Sequence, residues 1–197
     1  VEDMSIGSLP IPEVDRWSTI EMLSKEKEVV GVYISGHPLD DYRLEIGNFC
    51  NATFDLLKDM QKVKDKPLRL AGVVVKVEHK VSSNGNPYGV VYLEDYIDSF
   101  RLFLFQSDYT NYKNLLVEGW VLFIQGMVRD KKYGNAGYEF KVSEIKMLSQ
   151  VINEKVRNVI IELPFHVVDQ KIIDNLLNIC ENNKGQHSLL VRLLNYT

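Results

Sequence analysis

The stretch from Leu68 to Val81, LRLAGVVVKVEHKV, marks the point where the hydrophobic pattern of the chain changes from a helical to a strand-like period. It is rich in β-branched residues, and charged side chains alternate with apolar ones toward its end, which is typical of a β-strand. Gly72 is placed to let so long a strand bend. This stretch therefore predicts the first strand of a β-rich domain that begins after Pro67.

Four further strands are predicted downstream. Residues 82–87, SSNGNP, are a turn signature between the first two strands, and a very short connection joins the second strand to the third. Apolar residues at helical spacing between Gln106 and Glu118 predict a helix that ends at Gly119. The five predicted strands are Leu68–Val81, Tyr88–Tyr96, Ser99–Phe105, Trp120–Asp130 and Tyr138–Leu148.

The order of these elements favours one fold. Three strands, a helix and two more strands, with a long first strand, are the order of an OB-fold β-barrel. The alternative is an SH3-like barrel, which normally lacks a helix of this length between its third and fourth strands. The sequence therefore predicts a five-stranded OB-fold β-barrel in residues 62–149.

A helical segment precedes the barrel in residues 1–61. Apolar residues recur at three-, four- and seven-residue steps from Val14 to Ile34, and this predicts an amphipathic helix that ends at Ser35 and Gly36. Two shorter helices are predicted over Leu39–Phe49 and over Phe54–Met60, the second with Thr53 as its N-cap. The segment is expected to act as an acidic linker.

The pattern changes again in residues 150–197. A strand over Val156–Leu163, a helix over Val168–Asn182 capped by Gly185, and a strand over Ser188–Leu194 indicate a small α/β unit. A unit of this size is too small to bury its own core, so it must lean on the barrel or begin a truncated domain. The predicted class is therefore mixed: helices, a β-barrel and a small α/β unit.

Charge is unevenly distributed along the chain. The 197 residues include 23 basic and 27 acidic side chains, a net charge of −4, which argues at first against binding to phosphates. The acidic excess lies in residues 1–60, with 5 basic and 12 acidic side chains, whereas residues 62–149 carry 13 basic and 10 acidic side chains. Nucleic-acid binding by the barrel is therefore expected to be weak and sensitive to salt.

Catalytic chemistry finds little support in the sequence. The motifs typical of serine hydrolases, P-loop NTPases and zinc metalloproteases are missing. Glu94 and Asp95 would point to opposite faces of a strand, so we interpret them as edge or turn residues rather than as joint metal ligands. We interpret His37, three residues before Asp40, as a capping or packing group at a turn. No catalytic residue, metal site or cofactor is predicted.

Cysteine content and hydropathy indicate the cellular setting. Cys50 and Cys180 lie far apart and are expected to be buried or half-buried thiols. The sequence has no apolar run long enough to cross a bilayer and no secretory signal at its start, so we expect a cytoplasmic protein without membrane contact. Because the chain starts at Val1, it is expected to be a piece of something longer.

The outer face of the predicted barrel has the composition of a site for single-stranded nucleic acid. If Val73, Val75 and Val77 face the core, alternation turns the neighbouring positions, Val90 on the second strand included, outward. Phosphates attract cations and unstacked bases stack on aromatic rings. The candidate binding residues are Lys76, Lys80, Tyr92, Arg101, Phe103, Arg129, Lys131, Lys132 and Tyr133. The alternative is that the rings pack under a neighbouring domain and the lysines only solubilise loops.

Three stretches carry a resemblance to a known family. LSKEKEVVGVYISGHPLD at residues 23–40, AGVV at 71–74 and VYLED at 91–95 resemble the α subunit of bacterial DNA polymerase III, the C-family replicative polymerase. The resemblance covers nearly the whole chain, corresponds to the C-terminal region of that subunit and weakens after about Gln150.

This resemblance implies a role in DNA replication. The barrel would be the OB domain that contacts single-stranded template, and the unit from Val156 would begin the domain that binds the τ subunit of the clamp loader. The DNA-directed DNA polymerase activity would belong to the whole subunit, whose catalytic aspartates lie upstream of this chain. No Gln-x-x-Leu-Phe type clamp-binding peptide is found, since Met4 to Leu9 does not match it.

Two other hypotheses remain open from the sequence. The chain could be an interaction scaffold whose barrel face is covered by helices or partner subunits; burial of both Tyr92 and Phe103 by residues 13–60 would favour it. It could also be the anticodon-binding OB domain of a class II aminoacyl-tRNA synthetase, which has a similar Leu-Glu-Asp strand. The helix that precedes the barrel does not support this second hypothesis.

Overall fold

A computed structural model describes residues 17–131, 136–185 and 187–195 of the chain. The chain divides into two compact units, residues 1–38 and residues 39–197. Within the described residues, no helix has the length and apolarity that crossing a membrane requires.

In the described residues of the first unit, 17–38, the chain forms helix α1 over Thr19–Val30. It begins with a capping box, in which the Ser18 hydroxyl accepts the N–H of Glu21 and the Glu21 carboxylate accepts the N–H of Ser18 at 2.9 Å. Gly31, with φ 88°, ends the helix in the left-handed conformation. The predicted helix end at Gly36 was therefore wrong, and the predicted residues before position 17 lie outside the described part.

A carboxylate explains why the helix stops early. Glu26 accepts hydrogen bonds from the N–H groups of Ile34 and Ser35, each at 2.9 Å, and from the Ser35 hydroxyl at 2.8 Å. These bonds lower the pKa of Glu26. They hold residues 31–35 in a loop folded back on α1, which the apolar spacing of the sequence could not reveal.

The second unit opens with short helical elements. A 3₁₀ helix over Asp40–Tyr42 runs into helix α2 over Arg43–Phe49, and a further 3₁₀ helix covers Phe54–Asp59. Thr53 occupies the N-cap position of that helix, as predicted, but its hydroxyl makes no capping bond to the backbone. The N–H of Phe54 donates instead to the distant carboxylate of Asp95 at 2.7 Å.

Five strands follow: β1 Pro67–Val81, β2 Pro87–Glu94, β3 Ser99–Phe105, β4 Val121–Asp130 and β5 Tyr138–Met147. They form one antiparallel sheet in the order β3-β2-β1-β4-β5. Helix α3 over Gln106–Tyr112 and a 3₁₀ turn over Lys113–Leu115 connect β3 to β4, and Gly119, with φ 84°, follows them. These elements confirm the predicted OB-fold class.

The main hydrophobic core lies on the inner face of this sheet. Val74, Val91 and Leu102 belong to it, and the ring of Phe54 closes it from the side of the 3₁₀ helix. A Cβ at Gly72 would lie 2.5 Å from that ring. Gly72 is therefore required for the close approach of Phe54, whatever freedom it also gives β1 to bend.

A second cluster covers part of the outer face. Val73 and Phe123 pack there against Leu148 and Val151 of helix α4, which spans Leu148–Lys155. This helix was missed by the sequence analysis, which ended the fifth strand at Leu148. Because α2 and α4 cover the outer face of β1 and β4 at this end, the outer face of β2 and β3 is left for other contacts.

The last part of the chain forms a β-α-β unit. It consists of strand β6 over Asn158–Pro164, helix α5 over Gln170–Asn182 and strand β7 over Ser188–Leu194, with the two strands paired in parallel. The N-cap of α5 is Asp169, whose carboxylate accepts the N–H of Ile172 at 2.8 Å. The helix is capped by Asn183, not by Gly185 as predicted. No residue described in these three elements is fully buried.

Candidate nucleic-acid interface

The candidate site lies on the outer face of β1, β2 and β3, where the strand register sets the side chains in three cross-strand rows. Residues on the opposite face, such as Leu102 and Leu104, are buried in the core. Each row contains one residue from each strand, so the side chains are direct neighbours. The rows are Lys76–Tyr92–Arg101, Glu78–Val90–Phe103 and Lys80–Tyr88–Phe105.

A β-bulge in β1 sets this arrangement. The register shifts between Val74 and Lys76, so Val75 has no direct partner on β2 and is exposed. The alternation therefore reverses at the bulge: Val74 and Val77 face the core, whereas Val73 packs under α4 on the outer face. Of the three valines expected to face inward, Val77 packs against the main core and Val73 is buried in the second cluster. Val75 is exposed, so the expectation was wrong for that residue.

Three aromatic rings form a continuous stack on this face. The rings of Tyr88 and Phe105 are stacked with centroids 5.5 Å apart, and those of Phe105 and Phe103 are 6.1 Å apart and nearly parallel, at 7°. The guanidinium of Arg101 lies over the Phe103 ring, 5.0 Å from its centroid. Phe103 is 42% exposed and Phe105 is 53% exposed, so flat apolar rings are offered to solvent.

Two members of the stack, Tyr88 and Phe105, were missed by the sequence analysis. Alternation along the strands could have identified them. Tyr88 lies four residues before Tyr92 on β2, and Phe105 lies two residues after Phe103 on β3, so each points to the same face as its neighbour. Val90 lies on the outer face by register but is 3% exposed. Its side chain is therefore too buried to contact a ligand.

The lysines of the first and third rows share one carboxylate. Glu78 forms ion pairs with Lys76 at 2.7 Å and with Lys80 at 2.6 Å. Hydrogen bonds from the two ammonium groups lower the pKa of Glu78 to about 2. The Nζ of Lys76 also lies over the ring of Tyr92, 5.5 Å from its centroid. The net positive charge of this face is consequently smaller than its two lysines alone would give.

The loop between β4 and β5 supplies the other predicted cations. Arg129 forms an ion pair with Asp65 at 2.6 Å, so its charge is also partly offset. Lys131 is exposed, and its backbone N–H donates to the carbonyl of Gly137 at 2.9 Å. The predicted residues Lys132 and Tyr133 lie outside the described residues.

The acidic and histidine residues weighed in the sequence make structural contacts. Asp95 is buried, and one carboxylate oxygen accepts the N–H groups of Ile97 and Asp98 at 2.8 Å each, as expected for a turn residue. His37 packs edge-on against the ring of Tyr33, with centroids 5.1 Å apart. Nowhere in residues 17–131, 136–185 and 187–195 do three histidine, cysteine or carboxylate side chains gather as metal ligands would.

The cysteines differ in environment. Cys50 is half-buried, and this burial raises the pKa of its thiol to about 11, so it is almost entirely protonated at neutral pH. Cys180 lies exposed on α5, so the expectation of a buried or half-buried thiol was wrong at that position.

Comparison with known proteins supports the fold and the resemblance. Residues 68–148 match a family model described as an OB-fold nucleic acid binding domain. The DNA polymerase III subunit α of Borreliella burgdorferi is 30% identical over 165 residues, which are 82% of this chain and 13% of that protein. The corresponding subunit of Escherichia coli strain K12 is 28% identical over 163 residues, with the same two coverages.

These relatives are much longer than the chain, which spans 13% of the length of each. Among solved structures, a small single-stranded DNA-binding protein from Streptomyces coelicolor is similar over 41% of this chain and 90% of its own, with 15% identity and a TM-score of 0.31. A similarity of that size carries no argument about function.

Proposed function

Because the chain is homologous, over most of its length, to part of the α subunit of bacterial DNA polymerase III, we propose that it is a noncatalytic OB module that binds single-stranded DNA during replication. The observation that carries this proposal is the exposed stack of Phe103 and Phe105, with Arg101 beside it. Bases of a single strand stack on such rings while cations attract the phosphates.

The charges of this face predict weak binding. Two of its lysines share Glu78, and Arg129 is paired with Asp65, so few cations are available to displace counterions from DNA. Arg101 has no carboxylate partner within the part of the chain that the structure describes. Stacking on the rings would therefore contribute more of the affinity than phosphate contacts.

The exposure of Phe103 supports this proposal over an interaction scaffold. A scaffold covered by its own helices would bury both Tyr92 and Phe103, yet Tyr92 is half-buried and Phe103 is exposed. An anticodon-binding domain would use a similar face, so the two nucleic acids have to be compared directly. Stronger binding to tRNA than to single-stranded DNA would favour that alternative.

The test is a titration of a fluorescent oligothymidine with the 197-residue chain, followed by anisotropy at several salt concentrations. We expect weak binding that falls as salt rises. Lys131→Ala combined with Lys132→Ala should weaken it further, and unchanged anisotropy in this double variant would contradict a role for the β4–β5 loop. No binding of oligothymidine at low salt would contradict the proposal as a whole.

The resemblance extends the proposal to partners of the chain. We propose that residues 150–197 contribute to a link with other replisome subunits, including the τ subunit of the clamp loader, that residues 1–61 act as a linker to the OB module, and that the chain acts in the cytoplasm. Apolar side chains exposed on the β-α-β unit support an interface there, among them Ile160, Leu177 and Leu190. Co-purification of the chain with τ tests this link, and Leu177→Asp should abolish it.

A further inference from the structure

The barrel is open along one side. β3 and β5 lie at the two edges of the sheet and share no ladder of hydrogen bonds within the described residues. A groove of about 590 Å³ runs between them. Its volume falls in the range of sites that enclose small organic groups.

The groove joins an apolar floor to a charged mouth. Leu102, Leu104 and Phe140 line it and are buried core residues. Arg101 and Lys131 line it as exposed side chains, on the β3 side and the β5 side respectively. A planar apolar group could therefore enter the groove while an attached anion stayed at the cationic mouth.

The groove is continuous with the proposed DNA-binding face. Phe103 and Phe105, the exposed rings of the stack, also line its β3 side. A strand whose bases stack on these two rings would reach the groove within one nucleotide, because they belong to the strand that forms its wall. We propose that the groove between β3 and β5 takes one unstacked base of the bound single strand, an inference that rests on the proposed function.

Charge at the mouth fits a phosphodiester. Neither Arg101 nor Lys131 has a carboxylate partner in the described part of the chain, so both can approach phosphates. Two carboxylates, Asp108 and Glu139, also line the groove, and Glu139 is paired with Lys141 at 3.5 Å. The two cations without such partners attract an anionic ligand, and the exposed rings of Phe103 and Phe105 beside them favour a nucleotide over an acidic peptide that could pair with the free edge of β3.

The test uses a groove-filling variant. Ser107 is exposed at the start of α3 and lines the groove, so Ser107→Trp should occupy it without disturbing the core. Ser149→Trp, at an exposed position of α4, is the matched control. The probes are oligothymidines of about eight nucleotides, within the site size of one OB fold, with a single abasic position moved along the strand.

We expect the unaltered chain and Ser149→Trp to lose affinity by about fivefold or more when one particular position is abasic. Ser107→Trp should bind the intact oligonucleotide about fivefold more weakly and should no longer be sensitive to that position. The proposal would be overturned if Ser107→Trp bound the intact oligonucleotide with full affinity and kept its sensitivity to the abasic position. The same result is expected if the groove accepts a peptide strand.

Failure of this proposal can be told from failure of the proposed function. If Phe103→Ala weakens DNA binding while Ser107→Trp has no effect, the strand uses the outer face alone, and the groove proposal is overturned. If the unaltered chain binds no oligonucleotide, both proposals fall together.

Discussion

The carboxylate of Asp95 accepts a hydrogen bond from the backbone N–H of Phe54 at 2.7 Å, although 41 positions of sequence separate the two residues. Its other oxygen accepts the N–H groups of Ile97 and Asp98. One buried side chain thus joins the turn between β2 and β3 to the 3₁₀ helix whose Phe54 ring closes the core. The turn at the end of the candidate interface is held in place by this contact.

Asp95→Ala should destabilise the chain by about 1–3 kcal/mol, because three backbone N–H groups lose their acceptor in a buried or half-buried setting. Asp41→Ala is the control, because Asp41 is an exposed carboxylate on a separate 3₁₀ helix, Asp40–Tyr42. Urea unfolding followed by circular dichroism measures both. Equal stabilities of the two variants would contradict the role assigned to Asp95.

Gly72→Ala should destabilise the barrel by about 1–3 kcal/mol, since the added Cβ would lie 2.5 Å from the Phe54 ring and 3.1 Å from the Glu94 carbonyl oxygen. Gly47→Ala is the matched control: it lies in α2 with no atom within 4 Å of its Cβ position. That second variant should gain up to about 1 kcal/mol from helix propensity. Thermal or urea unfolding that shows no difference between them would refute this packing argument.

Phe103→Ala and Phe105→Ala should each weaken oligothymidine binding by about 1–3 kcal/mol, because each removes a ring on which a base stacks. Their folding stability should change little, by about 0.5 kcal/mol, since both rings are exposed. Phe165→Ala, at a phenylalanine that is also exposed but lies outside the barrel, should leave the affinity unaltered. Anisotropy titrations at constant salt compare the three variants.

Glu78→Gln should strengthen binding to single-stranded DNA, because Lys76 and Lys80 lose the carboxylate that they share. The slope of the logarithm of affinity against the logarithm of salt should steepen by about 0.7 for each lysine that then contacts a phosphate. Glu162→Gln, which breaks the ion pair with Arg192 away from this face, should have no effect. Weaker binding by Glu78→Gln would show that the lysines need Glu78 for their orientation.

The same carboxylate should make stability depend on pH in acid. The pKa of Glu78 is about 2 in the folded chain, below its ordinary value of 4.5. Its stabilising contribution is therefore complete above pH 4.5 and is lost as the pH falls toward 2. Unfolding measured between pH 6 and pH 2 should show Glu78→Gln losing less stability than the unaltered chain over this window; parallel curves would contradict it.

Much of the fold was accessible from local patterns. Five strands, the helix after β3 and the final β-α-β unit follow from alternation, turn residues and helical spacing. The observed bounds of the strands differ little from the predicted ones, whereas α3 ends at Tyr112 and not just before Gly119 as predicted. Helix α4 was missed because its apolar residues continue directly from those of β5. The predicted helix is longer than α1 because the apolar spacing continues past Gly31, where the helix ends and the chain turns.

The sequence by itself determined which side chains of β2 and β3 face outward, because strict alternation along a regular strand depends only on the order of residues. Only the tertiary structure decided the rest: the bulge at Val75, the sharing of Glu78 by two lysines, the contact of Asp95 with Phe54 and the groove between β3 and β5. These features join residues of different strands, and cross-strand register and the space between sheet edges have no local signature.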